Sequence, residues 1–182
     1  MVGPRKRNQP RVEMRAGIAL GSNLGDRLGH LRDARKRLLA LHDGSGPFLC
    51  SKIYETTPVN CPDDSPSFFN AAIELSTAIP PLDLLAELHR IETESGRTRT
   101  HKLHEPRNLD LDFLFCDNIE LSHNTLILPH PRISERLFVL KPLSDICPDR
   151  ILHGSNRSVR DLSEELESHQ GNSGINNVSF CF

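Results

Sequence analysis

A chain of 182 residues, 37% hydrophobic and 25% charged, is long enough to fold as one domain around its own apolar core. With 22 Lys and Arg against 24 Asp and Glu the formal charge is -2, which excludes a global basic field for nucleic acid and an acidic solvating tail. The cysteines, Cys50, Cys61, Cys116, Cys147 and Cys181, show no C-x-x-C pairing and read as free thiols of a reducing, cytoplasmic compartment. No apolar run approaches the ~20 residues of a membrane span, so no membrane partner is expected.

In chain order, the basic segment 1–15 reads as a disordered leader that lacks the apolar core of a secretory signal. The apolar run Ala16 to Leu20, closed by "GSN", predicts the first strand. Leu28, Leu31, Ala34, Leu38 and Leu39 recur at helical spacing, and Gly44 and Gly46 stop that helix. "FLCSKIYETTPV" alternates as a second strand, and "FFNAAIELSTAI" at 68–79 reads as a third. Pro80 and Pro81 open a second helix with Leu82, Leu84, Leu85, Leu88 and Ile91 on its apolar face. A polar loop leads into "LDLDFLF", and "LILPHPR" predicts a short strand. "ISERLFVLKPL" reads as a helical turn followed by extended chain, and "SVRDLSEELESH" as a last helix capped by Ser158. The order predicts an α+β fold with a ferredoxin-like βαββαβ core, an antiparallel sheet with helices packed on it, and C-terminal additions. The domain is expected over 16–167, followed by a mobile tail over 168–182.

Within "LDLDFLF" the two-residue period puts Asp110 and Asp112 on one face and Leu109, Leu111 and Phe113 on the other. The leucine face belongs in a core. Two carboxylates about 7 Å apart on one strand suit a hard cation carrying phosphates, although a bare D-x-D is also an ordinary solvent-facing edge strand. Arg97, Arg99 and Arg107 precede the pair and supply planar donors matched to phosphate oxygens. "GSNLG" at 21–25 matches neither common phosphate-loop pattern and is assigned no catalytic role.

These blocks, "IALGSNLG" at 18–25, "FFNAAIEL" at 68–75, "IETESGRTR" at 91–99, "PRNLDLD" at 106–112 and "LPHPRISERLFVLKPL" at 128–143, resemble the 6-hydroxymethyl-7,8-dihydropterin pyrophosphokinase family of folate biosynthesis. The resemblance implies transfer of pyrophosphate from ATP to 6-hydroxymethyl-7,8-dihydropterin, with attack at the β-phosphorus and release of AMP. It implies two Mg²⁺ ions held by Asp110 and Asp112, catalytic roles for these two and for Arg97 and Arg107, and ATP contacts from Arg97, Arg99, Arg107, His130 and Arg136. It further implies that Asn70 recognises the pterin and that Phe68 and Phe138 stack against it; taken by themselves, both phenylalanines read as core residues. Glu92 matches an acidic position near the site. Leu103, His104 and Glu105 depart from the family's loop pattern. The rival reading is therefore a weakened relative that binds pterin or nucleotide as a regulator. A ferredoxin-like RNA-binding module is disfavoured by the absent sheet aromatics and near-neutral charge. A monomer is expected.

Overall fold

The computed structural model describes residues 13–57, 66–96, 107–152, 155–170 and 175–178. Its main sheet is built from β1 (Met14–Ser22), β2 (Phe48–Cys50), β3 (Ile53–Thr56), β4 (Phe68–Thr77), β5 (Asp110–Cys116) and β10 (Ile175–Val178). The strand path is β10-β3-β4-β1-β5, every pairing is antiparallel, and β2 also pairs with β4. β1 lies between β4 and β5, so the two strands that carry the site residues flank it. This is the ferredoxin-like arrangement expected from the element order.

Both sheet faces are covered. On one, α1 (Arg27–Leu39) and α2 (Pro81–Glu94) bury Leu31, Ala34, Leu38, Leu84, Leu88 and Ile91 against Ile18, Leu20, Ile73, Leu75, Leu111 and Phe113. Leu39 and Leu82, expected on those apolar faces, are instead 44% and 40% exposed. Helix α1 begins where the Asp26 carboxylate accepts the Gly29 N–H at 2.9 Å. On the other face, α3 (Leu137–Ile146) and α4 (Val159–Gln170) bury Val139, Leu140, Leu143 and Leu162 against Ala72, Leu114 and Phe115. The short hairpins β6 (Leu121–His123) with β7 (Leu126–Leu128) and β8 (Ile151–Leu152) with β9 (Arg157–Ser158) complete the C-terminal additions.

Four expectations are corrected. The first strand starts at Met14, inside the segment read as leader: Met14 shares the buried face of Ala16 and Ile18, and Arg15 points the other way to pair with Glu74. Residues 133–146 form a 3₁₀ turn and then α3, not extended chain. Pro142 sits inside that helix without an N–H to give, and burial of Leu137, Leu140 and Leu143 overrides its helix-breaking tendency. "FLCSKIYET" is two strands: Cys50 pairs with Ile73 but Tyr54 with Asn70, so one extra residue bulges between them. Ser51 stabilises the bulge, its Oγ accepting the Ala72 N–H at 2.8 Å. Lastly, the region read as a mobile tail includes β10, which adds to the β3 edge, and α4 runs to Gln170. Ser158 caps α4 as expected, its Oγ accepting the Asp161 N–H at 3.1 Å.

A second bulge preserves the two-faced core. Asp112 pairs with Ala19 and Phe113 with Ile18, but Phe115 pairs with Gly17, so the alternation shifts by one at Leu114. Phe115 therefore packs under α3 rather than under α2, with its ring against Gly17. A Cβ at Gly17 would lie 2.3 Å from Phe115 Cζ. Gly17→Ala is expected to lower the free energy of unfolding by about 1–3 kcal/mol through overpacking. Urea unfolding checks this, as a reduced midpoint at unchanged slope.

Candidate active site

Past the edge of the α3 and α4 layer, the same sheet face presents Asp110 and Asp112 from β5 and Asn70 from β4 across the glycine of β1. In register, Gly21 faces Asn70 on one side and Asp110 on the other, while Ala19 faces Asp112. A Cβ built on Gly21 would stand 3.5 Å from Asn70 Oδ1, 3.8 Å from Asp110 Cβ and 3.9 Å from Phe68 Cδ1. The three side chains thus surround a cradle that any larger residue at position 21 would fill. Glycine at the end of β1 keeps it open.

The carboxylates are half-exposed, their side chains 27% and 34% accessible, while Leu111 and Phe113 between and beyond them are buried as the alternation requires. Arg107 donates to Asp110 Oδ1 at 2.8 Å, and Arg136 donates to Asp112 Oδ2 at 3.0 Å. Each acid is thus held by its own guanidinium, which relieves repulsion between the pair. Arg136 stands in extended conformation just ahead of α3, with its guanidinium carbon 5.7 Å from the Phe138 ring centre. Phe138, half-buried at the start of α3, packs against the second core.

His130 enters from the loop after β7, its backbone N–H bonded to Leu114 O at 2.7 Å. Its Nδ1 accepts the Arg132 N–H at 3.1 Å, which assigns the proton of the neutral ring to Nε2. Burial holds its pKa below the ordinary histidine value, Asp112 opposes that shift, and Arg136 and Arg132 reinforce it. A neutral imidazole N–H donor is the form present near pH 7.

Two supports, Asn23 and Thr56, were not read from the sequence, and a third, Glu92, was read only as an acidic position near the site. Asn23, in the block assigned no role, is 2% exposed and grips the Arg107 backbone twice, its Oδ1 accepting the Arg107 N–H at 2.8 Å and its own N–H reaching Arg107 O at 3.2 Å. Thr56 Oγ1 accepts from Asn70 Nδ2 at 2.8 Å, which holds the amide in place beside the cradle. Glu92 is not a helix-surface residue: it is 2% exposed, and its Oε1 accepts the Leu111 N–H at 2.9 Å. That bond satisfies a donor on the outer edge of β5, between the two aspartates. A polar residue on the inward face of α2 was the available signal for Glu92; the other two are contacts made only by the fold. The expected residues Phe68, Asn70, Arg107, Asp110, Asp112, His130, Arg136 and Phe138 all fall within the described parts of the chain, whereas Arg97 and Arg99 lie outside the described residues, as do Leu103, His104 and Glu105.

A family model for 7,8-dihydro-6-hydroxymethylpterin-pyrophosphokinase matches residues 17–148, a span that includes both strands around the cradle. The chain belongs to this family. A 2-amino-4-hydroxy-6-hydroxymethyldihydropteridine pyrophosphokinase of Bacillus subtilis is 46% identical over 132 residues, 72% of this chain and 77% of that protein. The Haemophilus influenzae protein of the same name is 36% identical over 155 residues, 85% and 94% of the two chains. The folic acid synthesis protein fol1 of Pneumocystis carinii is 38% identical over 152 residues, 84% of this chain but 20% of that longer protein. Among solved structures, the wild-type HPPK-DHPS of Plasmodium falciparum with SDX-DHP superposes with a TM-score of 0.66 at 16% identity, over 87% of this chain and 45% of that one. At that identity it speaks for the fold alone. As a member of the pyrophosphokinase family, the chain transfers pyrophosphate from ATP to hydroxymethyldihydropterin in folate synthesis.

Proposed function

We propose that the cradle around Gly21 is where the two substrates meet, the pterin between Phe68 and Phe138 with its amide edge on Asn70, and the ATP triphosphate over Asp110 and Asp112. The observation that carries this reading is the convergence of Asn70, Phe68 and Asp110 within 4 Å of one Cβ position. It brings the pterin-side and phosphate-side residues to a single point. In the reaction the hydroxymethyl oxygen bonds to the β-phosphorus and gives up its proton to water, the bond from the β-phosphorus to the bridging α–β oxygen breaks, and AMP leaves.

The donor set fits magnesium. Asp110 and Asp112 offer hard carboxylate oxygens on one face, half-open to solvent, and Mg²⁺ is commonly held by one or two carboxylates together with substrate phosphates. Among the described residues no group of three or more His, Cys, Asp or Glu side chains gathers at this site or elsewhere, so the aspartate pair would hold the metal together with the substrate phosphates. Two Mg²⁺ ions held by this pair would supply charge neutralisation along the triphosphate. The protein's own groups orient and balance the rest: Arg107 and Arg136 steady the carboxylates and face the phosphates, His130 offers a neutral N–H, and Arg97 and Arg99 are assigned to the phosphates as well. Asn70, with one end of its amide held by Thr56, turns the other end into the cradle toward the amide edge of the pterin.

We assign the protein to the cytoplasm as a monomer; among the described residues no helix is long and apolar enough to cross a membrane. The test is AMP release from ATP. It should depend on 6-hydroxymethyl-7,8-dihydropterin and on Mg²⁺ and stop in EDTA, whereas pterin-dependent release that persists in EDTA would remove the metal from the reading.

A further inference from the structure

One polar cluster near the cradle is used by nothing above. Arg27, the first residue of α1, lies on the α1 and α2 side of the sheet, opposite Phe68. Its Nη1 is 3.0 Å from Glu55 Oε1, 2.7 Å from Ser67 O and 2.7 Å from Ser67 Oγ, and its guanidinium carbon stands 3.8 Å from the Phe69 ring centre. Ser67 Oγ in turn donates to Glu55 at 2.5 Å. Ser67 and then Arg27 hold the Glu55 carboxyl below the ordinary range.

The position of the cluster gives it meaning. Glu55 is the last residue but one of β3 and Ser67 immediately precedes β4, so one guanidinium joins the exit of one strand to the entrance of the next. In register Glu55 faces Phe69 on the α1 and α2 side, while Thr56 faces Phe68 on the cradle side and Tyr54 faces Asn70. Thr56 is the residue that fixes the Asn70 amide. The ladder pairs Thr56 with Phe68 at its last position, and without the guanidinium this end of it would fray, so that Thr56 would loosen from Phe68 and Asn70 and the side of the cradle made by β4 would lose its shape. The β5 side, with Asp110 and Asp112, is tied independently through Asn23 and Glu92.

We infer that Arg27, with Glu55 and Ser67, is a positioning clamp for pterin binding, acting from the back of the sheet without touching either substrate. This rests on the placement of the pterin at Phe68 and Asn70 proposed above. An effect confined to one substrate separates it from a general structural contact.

The experiment compares Arg27→Met, Arg27→Lys, Ser67→Ala and Asn70→Ala in the full chain, measuring KM for each substrate at saturation of the other and pterin affinity by equilibrium binding. Arg37→Met, which breaks an α1 ion pair to Glu94 on α2, is the control. Arg27→Met should raise the pterin KM and dissociation constant about tenfold while ATP KM and kcat change less than about twofold, because only the pterin wall loosens. Arg27→Lys should recover part of that loss, Ser67→Ala should raise the pterin KM about threefold, and Arg37→Met should leave both KM values unchanged. If Arg27→Met does not fold, Ser67→Ala, at a half-buried residue, decides alone. A parallel rise in both KM values, or an unchanged pterin KM in the folded variants while Asn70→Ala raises it, overturns the clamp and leaves the site reading standing. An unchanged pterin KM in Asn70→Ala as well overturns both.

Discussion

Replacing Asp112 with alanine is expected to reduce pterin-dependent AMP release by the folded protein about 10²–10³-fold, and Asp110→Ala by a similar factor. Both carboxylates are partly open to solvent, but Asp112→Ala leaves the Arg136 guanidinium, only 18% exposed, without this partner, so some loss of stability accompanies the loss of chemistry and activity is compared on the folded fraction. Each acid, however, does two things: it offers oxygens to a cation and it holds an arginine. The asparagine variants separate these. Asn keeps an oxygen that can accept from Arg136 or Arg107 but lacks the charge that binds Mg²⁺. If metal binding is the main role, Asp112→Asn is as inactive as Asp112→Ala and both need more Mg²⁺ for what activity remains. Near-complete recovery in Asp112→Asn would instead make orientation of Arg136 the role of this carboxylate, and the metal assignment would have to move elsewhere.

The face carrying these aspartates was legible because β5 alternates strictly over Asp110 to Phe113, and the period of two assigns the acids to one side and the apolar residues to the core without any tertiary information. The same rule fails two residues later. The bulge at Leu114 turns Phe115 to the opposite face, and nothing in "FLF" marks it, because the bulge depends on the close approach of Gly17 in a strand more than ninety positions earlier. Helix α3 was misread for a local reason, Pro142, which tertiary burial outweighs. Strand β10, with two asparagines among four residues, has little strand propensity of its own and forms on an edge already laid down by β3. The chemistry-bearing side chains could be picked out as residue types in blocks. The residues that aim them, Asn23 on the Arg107 backbone, Thr56 on Asn70 and Arg27 on Ser67, act through contacts 84, 14 and 40 positions apart in sequence, and such contacts exist only once the sheet is assembled.

The far end of the same sheet face carries the largest expected effect on stability. Glu74 is wholly buried in β4 and pairs with Arg15 and with Arg150, whose guanidinium also lies 4.0 Å from the Phe115 ring centre and donates to Asp117 O at 3.3 Å. The three residues come from β1, β4 and the segment before β8, so the ion cluster fastens the C-terminal additions to the sheet. Glu74→Ala would strand a guanidinium that is only 17% exposed, and the free energy of unfolding is expected to fall by about 3–5 kcal/mol. Arg15, 45% exposed, can return its charge to water, so Arg15→Ala should cost only about 1 kcal/mol. Replacing Glu74 by Leu together with Arg150 by Met should recover most of the loss, since a buried ion pair exchanged whole for apolar side chains is often near neutral, whereas one broken by half is not. Glu74 lies four residues along β4 from Asn70, about 13 Å away, so the pterin KM of the folded fraction should not change. Urea unfolding of the single and double variants, with KM measured alongside, distinguishes a fastening from a site residue. A pterin KM that rises with the loss of stability would mean that the two ends of β4 move together, and that the cradle is held open by the whole strand rather than by the contacts around Gly21.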